Sequence, residues 1–156
     1  MNKTKNISLS ISIFLSLVTA ALILFCCFFL PSYINWKCTN TLSMFTGELP
    51  TTIEKVAIYL GGYLLLALAA TADGVLIRLL LLIKKGQVFT AKTVSSLKCI
   101  SFLIMAVGAL FVLLTPYFRM ACAVGFLTFF VGVVILVVKN VMEDAVRIKA
   151  ENDFTI

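Results

Sequence analysis

Four long apolar runs constrain this chain more than any other feature of its sequence. They cover about residues 7–30, 53–83, 97–115 and 120–138. Each run has the roughly 20 residues that a helix needs to cross a hydrocarbon core of about 30 Å. Inside lipid the backbone must satisfy its own hydrogen bonds, which an α-helix does within one segment. The runs therefore predict an all-α integral membrane four-helix bundle, formed by a single domain over residues 1–156.

The composition excludes a soluble protein. Hydrophobic residues make up 62% of the 156 residues and charged residues 13%, and the mean hydropathy is +1.11. A soluble domain is about half apolar and about a quarter charged, and a chain of this size cannot bury such an excess. We therefore expect the lipid bilayer as the main partner and no direct binding of nucleic acid, in spite of the net charge of +6.

Polar segments separate the runs and predict the loops. Residues 31–52 read as an outer loop that begins at Pro31 and exposes Cys38 to water. Residues 84–96 form a connector, in which Gly86 suits a left-handed helix end and Thr90 suits the N-cap of a helix starting near Ala91.

The helical pattern of the fourth run continues past residue 138. Apolar residues recur there at helical spacing, at Val138, Val141, Met142, Ala145 and Ile148. On the polar side, Lys139–Glu143 and Glu143–Arg147 are predicted i,i+4 pairs. We therefore predict that the last helix extends out of the membrane and ends near Ala150, within a cytoplasmic tail at 139–156.

The distribution of Lys and Arg predicts the orientation. Ten basic residues lie at the N-terminus, around the connector or in the tail, and three lie at the other ends of the spans: Lys37, Lys55 and Arg119. Short loops and span ends that are rich in Lys and Arg tend to lie on the cytoplasmic side of the membrane. Both termini and the connector are therefore predicted to be cytoplasmic.

Asp73 is the outlier among the apolar runs. It lies about 16 Å along a helix from Lys84, close to the predicted midplane, where a lone carboxylate costs at least ~2.5 kcal/mol. With Thr71 and Arg78 it forms a candidate intramembrane polar site. One interpretation is an ion or proton site, and the other, which we favour, is a structural hydrogen bond to a neighbouring span. Arg78 is expected to extend toward the cytoplasmic interface.

Catalytic and metal sites that depend on His are absent from the sequence. There is no His, and the five Cys include no C-x-x-C pair. A Cys38–Cys122 disulfide is conceivable, because both residues are predicted near one interface, but we do not predict it. We expect no enzymatic activity, no catalytic residue, no cofactor and no metal. A stripe of small residues, Ala121, Gly125 and Gly132, is expected to pack against another helix.

Two cytoplasmic segments combine charged and apolar residues. In the connector these are Lys84, Lys85 and Phe89, which form either an interfacial turn or a docking surface. In the tail they are Glu151, Asn152, Asp153 and Phe154, which have the character of a short docking anchor.

The same two segments resemble a known family. Residues 82–90, Leu-Ile-Lys-Lys-Gly-Gln-Val-Phe-Thr, and the ending at 148–156, with its Glu-Asn-Asp triplet, are similar to the bacterial membrane family called domain of unknown function 2975. The resemblance runs from about residue 55 to the end. Many members have Leu where this chain has Phe154. The resemblance implies a four-span bacterial inner-membrane protein without established enzymatic activity, which holds or releases a small helix-turn-helix regulator.

Two main hypotheses follow. The first is a regulatory or scaffold protein whose connector and tail bind a cytoplasmic regulator or another membrane subunit. The alternative is a small transporter, channel or immunity protein that uses Asp73, as a homo-oligomer. A membrane enzyme has the least support.

Overall fold

The computed structural model describes residues 3–40, 42, 49–118 and 120–153, with side chains left out at 3–6 and 153. The described residues form four helices and no strand: α1 (Lys3–Asn40), α2 (Thr52–Lys84), α3 (Ala91–Leu113) and α4 (Ala121–Asp153). All four are long and apolar enough to cross a membrane. The prediction of an all-α, four-helix membrane bundle is confirmed.

Local sequence signals set several helix ends. Thr51 and Glu54 form a capping box at the start of α2, in which each side chain bonds the backbone N–H of the other. The Thr90 side chain accepts a hydrogen bond from the Thr93 N–H and caps α3, which begins at Ala91 as predicted. Gly86 follows α2 with a φ of 77°, the left-handed conformation expected there.

Each helix runs antiparallel to the next along the chain. Ser16, in the first half of α1, bonds Asp73 in the second half of α2. Gly61, near the start of α2, lies against Leu114 just after α3. Gly108, late in α3, lies against Gly125 near the start of α4. The described start of α1 and end of α4 therefore lie at the same end of the bundle as the loop 85–90, which we call the connector end. Among the described residues, a helix contacts only the helix before it and the helix after it in the chain. Helices α1 and α4 do not touch, so the bundle has an opening between them.

The closest helix pair is α3 and α4, and glycine makes the approach possible. A Cβ built on Gly108 would lie 2.6 Å from the Phe129 nitrogen, and one on Gly125 would lie 2.8 Å from the Gly108 oxygen. The buried Ser101 hydroxyl donates to the Gly132 carbonyl across the same interface, at 2.7 Å. The predicted packing role of Gly125 and Gly132 is thus confirmed, with α3 as the partner helix.

The predicted boundary between the first span and an outer loop at 31–52 is wrong. Helix α1 continues through Pro31 to Asn40. Ile34 and Cys38, one turn apart, are buried against Ile58 of α2, so helical structure keeps an apolar stripe on its partner. The Tyr59 hydroxyl of α2 also bonds this part of α1, at the Pro31 carbonyl (3.1 Å) and the Asn35 side-chain oxygen (2.8 Å).

Cys38 is not in water, contrary to the expectation. Its side chain is 3% exposed and belongs to the core cluster with Ile34 and Ile58. All five cysteines are free, including Cys38 and Cys122.

Candidate functional site

The intramembrane carboxyl of Asp73 is bonded to helix α1. One carboxyl oxygen accepts hydrogen bonds from the Ser16 hydroxyl at 2.6 Å and from the Thr19 hydroxyl at 3.0 Å. Ser16 is 4% exposed, so its hydroxyl has no access to water as a substitute partner. Thr19 also donates to the Ser16 carbonyl, at 2.7 Å. Because a hydroxyl has one proton, Thr19 shares it between the two acceptors.

This arrangement acts as a polar bond between two spans. Both donors come from α1 and the acceptor comes from α2, so the three side chains set the register of one helix against the other. A hydrogen-bonded carboxyl costs far less inside a membrane than a lone one. The geometry agrees with the structural interpretation of Asp73 that the sequence favoured.

The two other predicted members of the polar site lie outside this cluster. The Thr71 hydroxyl is exposed and donates to the Leu68 carbonyl of its own helix, at 2.8 Å. Arg78 is exposed and is in none of the described ion pairs. Sequence reasoning missed Ser16 and Thr19. The available signal was their polarity inside the first apolar run, but the register that brings them to Asp73 is a property of the packed helices.

The predicted connector residues are accessible. Lys84, Lys85 and Phe89 are exposed at the end of α2 and in the loop that follows it. In the tail, Glu151 and Asn152 are exposed on the last turn of α4. Asp153 lies in that helix without a described side chain, and Phe154 lies outside the described residues, so the proposed anchor is described only in part.

A groove at the connector end lies between the start of α3 and the part of α4 beyond residue 138, which we call the α4 extension. It encloses about 470 Å³. Its lining residues are Ala91, Val94, Ser95 and Lys98 of α3, and Lys139, Glu143, Val146, Arg147 and Ala150 of α4. None of Lys84, Lys85 or Phe89 lines it. The sequence analysis did not single out these groove residues, and the docking role of Lys84, Lys85 and Phe89 stays a prediction.

Charged pairs run along the α4 extension. Lys139 bonds Glu143 one turn away, as predicted, and its hydrogen bond and positive charge lower the pKa of the Glu143 carboxyl below its ordinary value. Arg147 pairs with Asp144 at 3.3 Å rather than with Glu143 as predicted. The i,i+3 spacing brings the Arg147 and Asp144 side chains together on the exposed side of the helix.

An apolar strip lies on the opposite side of the α4 extension from the groove. Its members are spaced along one helical face: Val138, Val141, Ala145 and Ile148. Val141 is 64% exposed and Ile148 is 55% exposed. The sequence predicted this apolar face, and the structure shows that no other described helix covers it.

The described residues contain no group of three His, Cys, Asp or Glu side chains placed to hold a metal ion. The model of a family described as "Protein of unknown function (DUF2975)" matches residues 44–156, which include α2, α3 and α4 and leave α1 outside the match. No curated protein and no solved structure matches the chain.

Proposed function

The chain belongs to the DUF2975 family of proteins of unknown function, and from this premise we propose that it is a non-enzymatic, multi-pass protein of the bacterial cytoplasmic membrane that docks a cytoplasmic protein. In this proposal the protein is a regulatory or scaffold partner. The docking surface is the apolar strip of the α4 extension, together with the exposed connector residues at the same end of the bundle.

The exposure of the apolar strip is the observation that carries this proposal. The α4 extension runs from residue 139 to 153, roughly 22 Å beyond the apolar run. It carries Lys139, Glu143, Asp144 and Arg147, charges that hydrocarbon does not accommodate. A polar helix that leaves Val141 and Ile148 uncovered has the character of an interaction surface. An amphipathic partner segment would cover such a strip by helix packing.

The partner class comes from the family resemblance, which implies a small helix-turn-helix regulator. Binding at the membrane would keep such a regulator away from its DNA, and release would follow a change in the spans. The absence of enzymatic activity is likewise a proposal. It is supported by a sequence without His, the commonest general acid and base in enzymes.

The docking proposal is tested by removing the strip without removing the helix. The full chain is purified in nanodiscs beside a Val141→Gln/Ile148→Gln variant and a control with Asn140→Gln, an exposed polar neighbour on the same helix. Proteins captured from the native cytoplasm are identified by mass spectrometry, and the best candidate is then purified for a binding titration. We expect the double variant to weaken binding about tenfold or more, since two apolar contacts of about 1–2 kcal/mol are lost.

A purified candidate that binds wild type and the double variant equally would overturn the strip as the docking surface. A second copy truncated after Ala150 separates the strip from the end of the tail, because it keeps Val141 and Ile148. Transport through Asp73 is not proposed as a second function, since the hydrogen bonds to Ser16 and Thr19 favour a structural role for this carboxyl.

A further inference from the structure

A second cavity lies at the end of the bundle opposite to the connector. It has a volume of about 400 Å³ and is lined by residues of all four helices and of the turn before α4. This volume is within the range of small-molecule sites, about 300–1,000 Å³. Among its described lining residues, only Tyr33 carries a side-chain oxygen or nitrogen. The cavity therefore suits an apolar occupant.

The cavity opens toward the bilayer. Its exposed lining residues, Cys26, Tyr33, Met120 and Val124, belong to α1 or to the beginning of α4 and the turn before it. Those two helices are not in contact with each other. The lining residues of α2 and α3 form the less exposed back wall. An occupant can thus enter sideways from lipid, between α1 and α4.

A cation marks the outer limit of the cavity. The Lys37 ammonium lies 4.6 Å from the centre of the Phe118 ring, and Phe118 also lines the cavity. Tyr33 stacks between Phe118 and the exposed Trp36, with ring centres 6.5 Å apart in each pair. Such aromatic residues are enriched at the depth of the lipid head groups. Neither described ion pair involves Lys37, so its charge is available to an anion at this depth.

The cavity lies on one side of the bilayer midplane. Its lining on α1 begins at Cys26, seven residues or roughly 10 Å beyond Thr19, which bonds Asp73 near the predicted midplane. The lining continues to Ile34, eight residues or roughly 12 Å further along the helix. The site therefore belongs to the half of the bundle opposite to the connector end.

We propose that this cavity binds one acyl chain of an anionic phospholipid, whose phosphate is held by Lys37. The apolar lining excludes a polar solute, and the lateral opening between α1 and α4 admits a lipid. The positive charge selects an anionic head group over a zwitterionic one. This inference is independent of the docking surface, which lies at the other end of the molecule.

The test is a competition between two lipids on the full chain. The detergent-purified protein is offered equal amounts of phosphatidylglycerol and phosphatidylcholine, and retained lipids are identified by native mass spectrometry. We expect one retained phosphatidylglycerol per chain. Lys37→Gln should lower the preference for phosphatidylglycerol about fivefold, the effect of one basic residue near a lipid surface, whereas Lys37→Arg should keep it. Lys55→Gln, at the same end of the bundle and outside the cavity lining, is the charge control.

A second pair of variants tests the cavity itself. Val124→Trp should block the site and reduce retention of both lipids, whereas Val131→Trp, two turns along α4 and outside the lining, should not. The proposal is overturned if wild type retains the two lipids equally, or if neither Lys37→Gln nor Val124→Trp changes retention. It is also overturned if wild type is a lipid-free dimer that Val124→Trp dissociates, since a second copy would then be the occupant.

Discussion

Polar side chains within the apolar helices are used to join one helix to the next. Asp73 receives two hydroxyls from α1, and Ser101 donates to a carbonyl of α4. No buried side-chain nitrogen or oxygen of the described residues lacks a hydrogen-bond partner. Because lipid offers no substitute partner, each of these bonds also specifies where its two helices meet.

Substitution of Asp73 tests the bond between α1 and α2. Asp73→Ala should lower the free energy of unfolding by about 1–2 kcal/mol, since interhelical hydrogen bonds in membranes average ~0.6 kcal/mol and reach ~1.7, and Ser16 would also remain buried. Asp73→Asn keeps an acceptor and should stay closer to wild type. Thr71→Ala, which removes only a bond within its own helix, is the control, and unfolding in mixed detergent is the measurement.

The same variants distinguish structure from transport. If Asp73→Asn is as stable as wild type but abolishes an ion flux that wild-type vesicles show, the carboxyl has a transport role and the structural interpretation is incomplete.

Gly108 allows the close contact of α3 with α4, and Gly108→Ala should therefore be destabilising. The added Cβ would meet backbone atoms of α4 at 2.6–2.9 Å, and overpacking of this kind costs about 1–3 kcal/mol. Gly74→Ala is the matched control, because nothing lies within 4 Å of its Cβ position and alanine stabilises a helix by roughly 0.5–1 kcal/mol. The midpoint temperature of thermal unfolding in detergent should be lower than that of wild type for Gly108→Ala and not for Gly74→Ala. Equal shifts would show that the glycine contact is not required.

The part of α1 beyond Pro31 is in contact with α2. Pro31 has no backbone N–H to donate within the helix. Helix α1 nevertheless continues to Asn40, with Ile34 and Cys38 buried against α2. The Tyr59 hydroxyl adds bonds on both sides of the first turn after the proline. This segment is a helix because α2 stabilises it.

Tyr59→Phe should therefore loosen the end of α1 while leaving its first part unchanged. Amide hydrogen exchange of residues 32–40 should accelerate several-fold, since a hydrogen bond contributes about 0.5–1.5 kcal/mol. Tyr63→Phe, at an exposed position one turn further along α2, controls for the loss of a hydroxyl. Unchanged exchange in the Tyr59 variant would mean that apolar burial alone holds the segment.

For the whole molecule, the antiparallel order of the four helices places the described start of α1 and end of α4 at one end. The excess of Lys and Arg at that end predicts that it is cytoplasmic. Reporter fusions after Ile156 and between residues 42 and 49 test this prediction. We expect a cytoplasmic reporter to be active only at the first position. The reverse pattern would move the docking surface to the outside and contradict the proposed function.

The sequence alone determined the features that depend on local chemistry. Apolar run length is enough to define four spans, because lipid leaves the backbone few alternatives. Thr90 and Gly86 could be assigned correctly, since a cap or a left-handed residue acts within one helix turn. The family resemblance, carried by the connector and the tail, was likewise readable from consecutive residues and is confirmed.

Only the tertiary structure decided which residues meet across helices. Ser16 and Thr19 reach Asp73, and Cys38 is buried, because of the register of α1 against α2, which arises from packing over many residues and leaves no local signal. The opening between α1 and α4, and the cavity beside Lys37 that it exposes, depend on the placement of all four helices. The spans carry exposed apolar residues on several sides, so helix periodicity does not select the face that packs. The shapes and polar bonds of the assembled bundle select it instead.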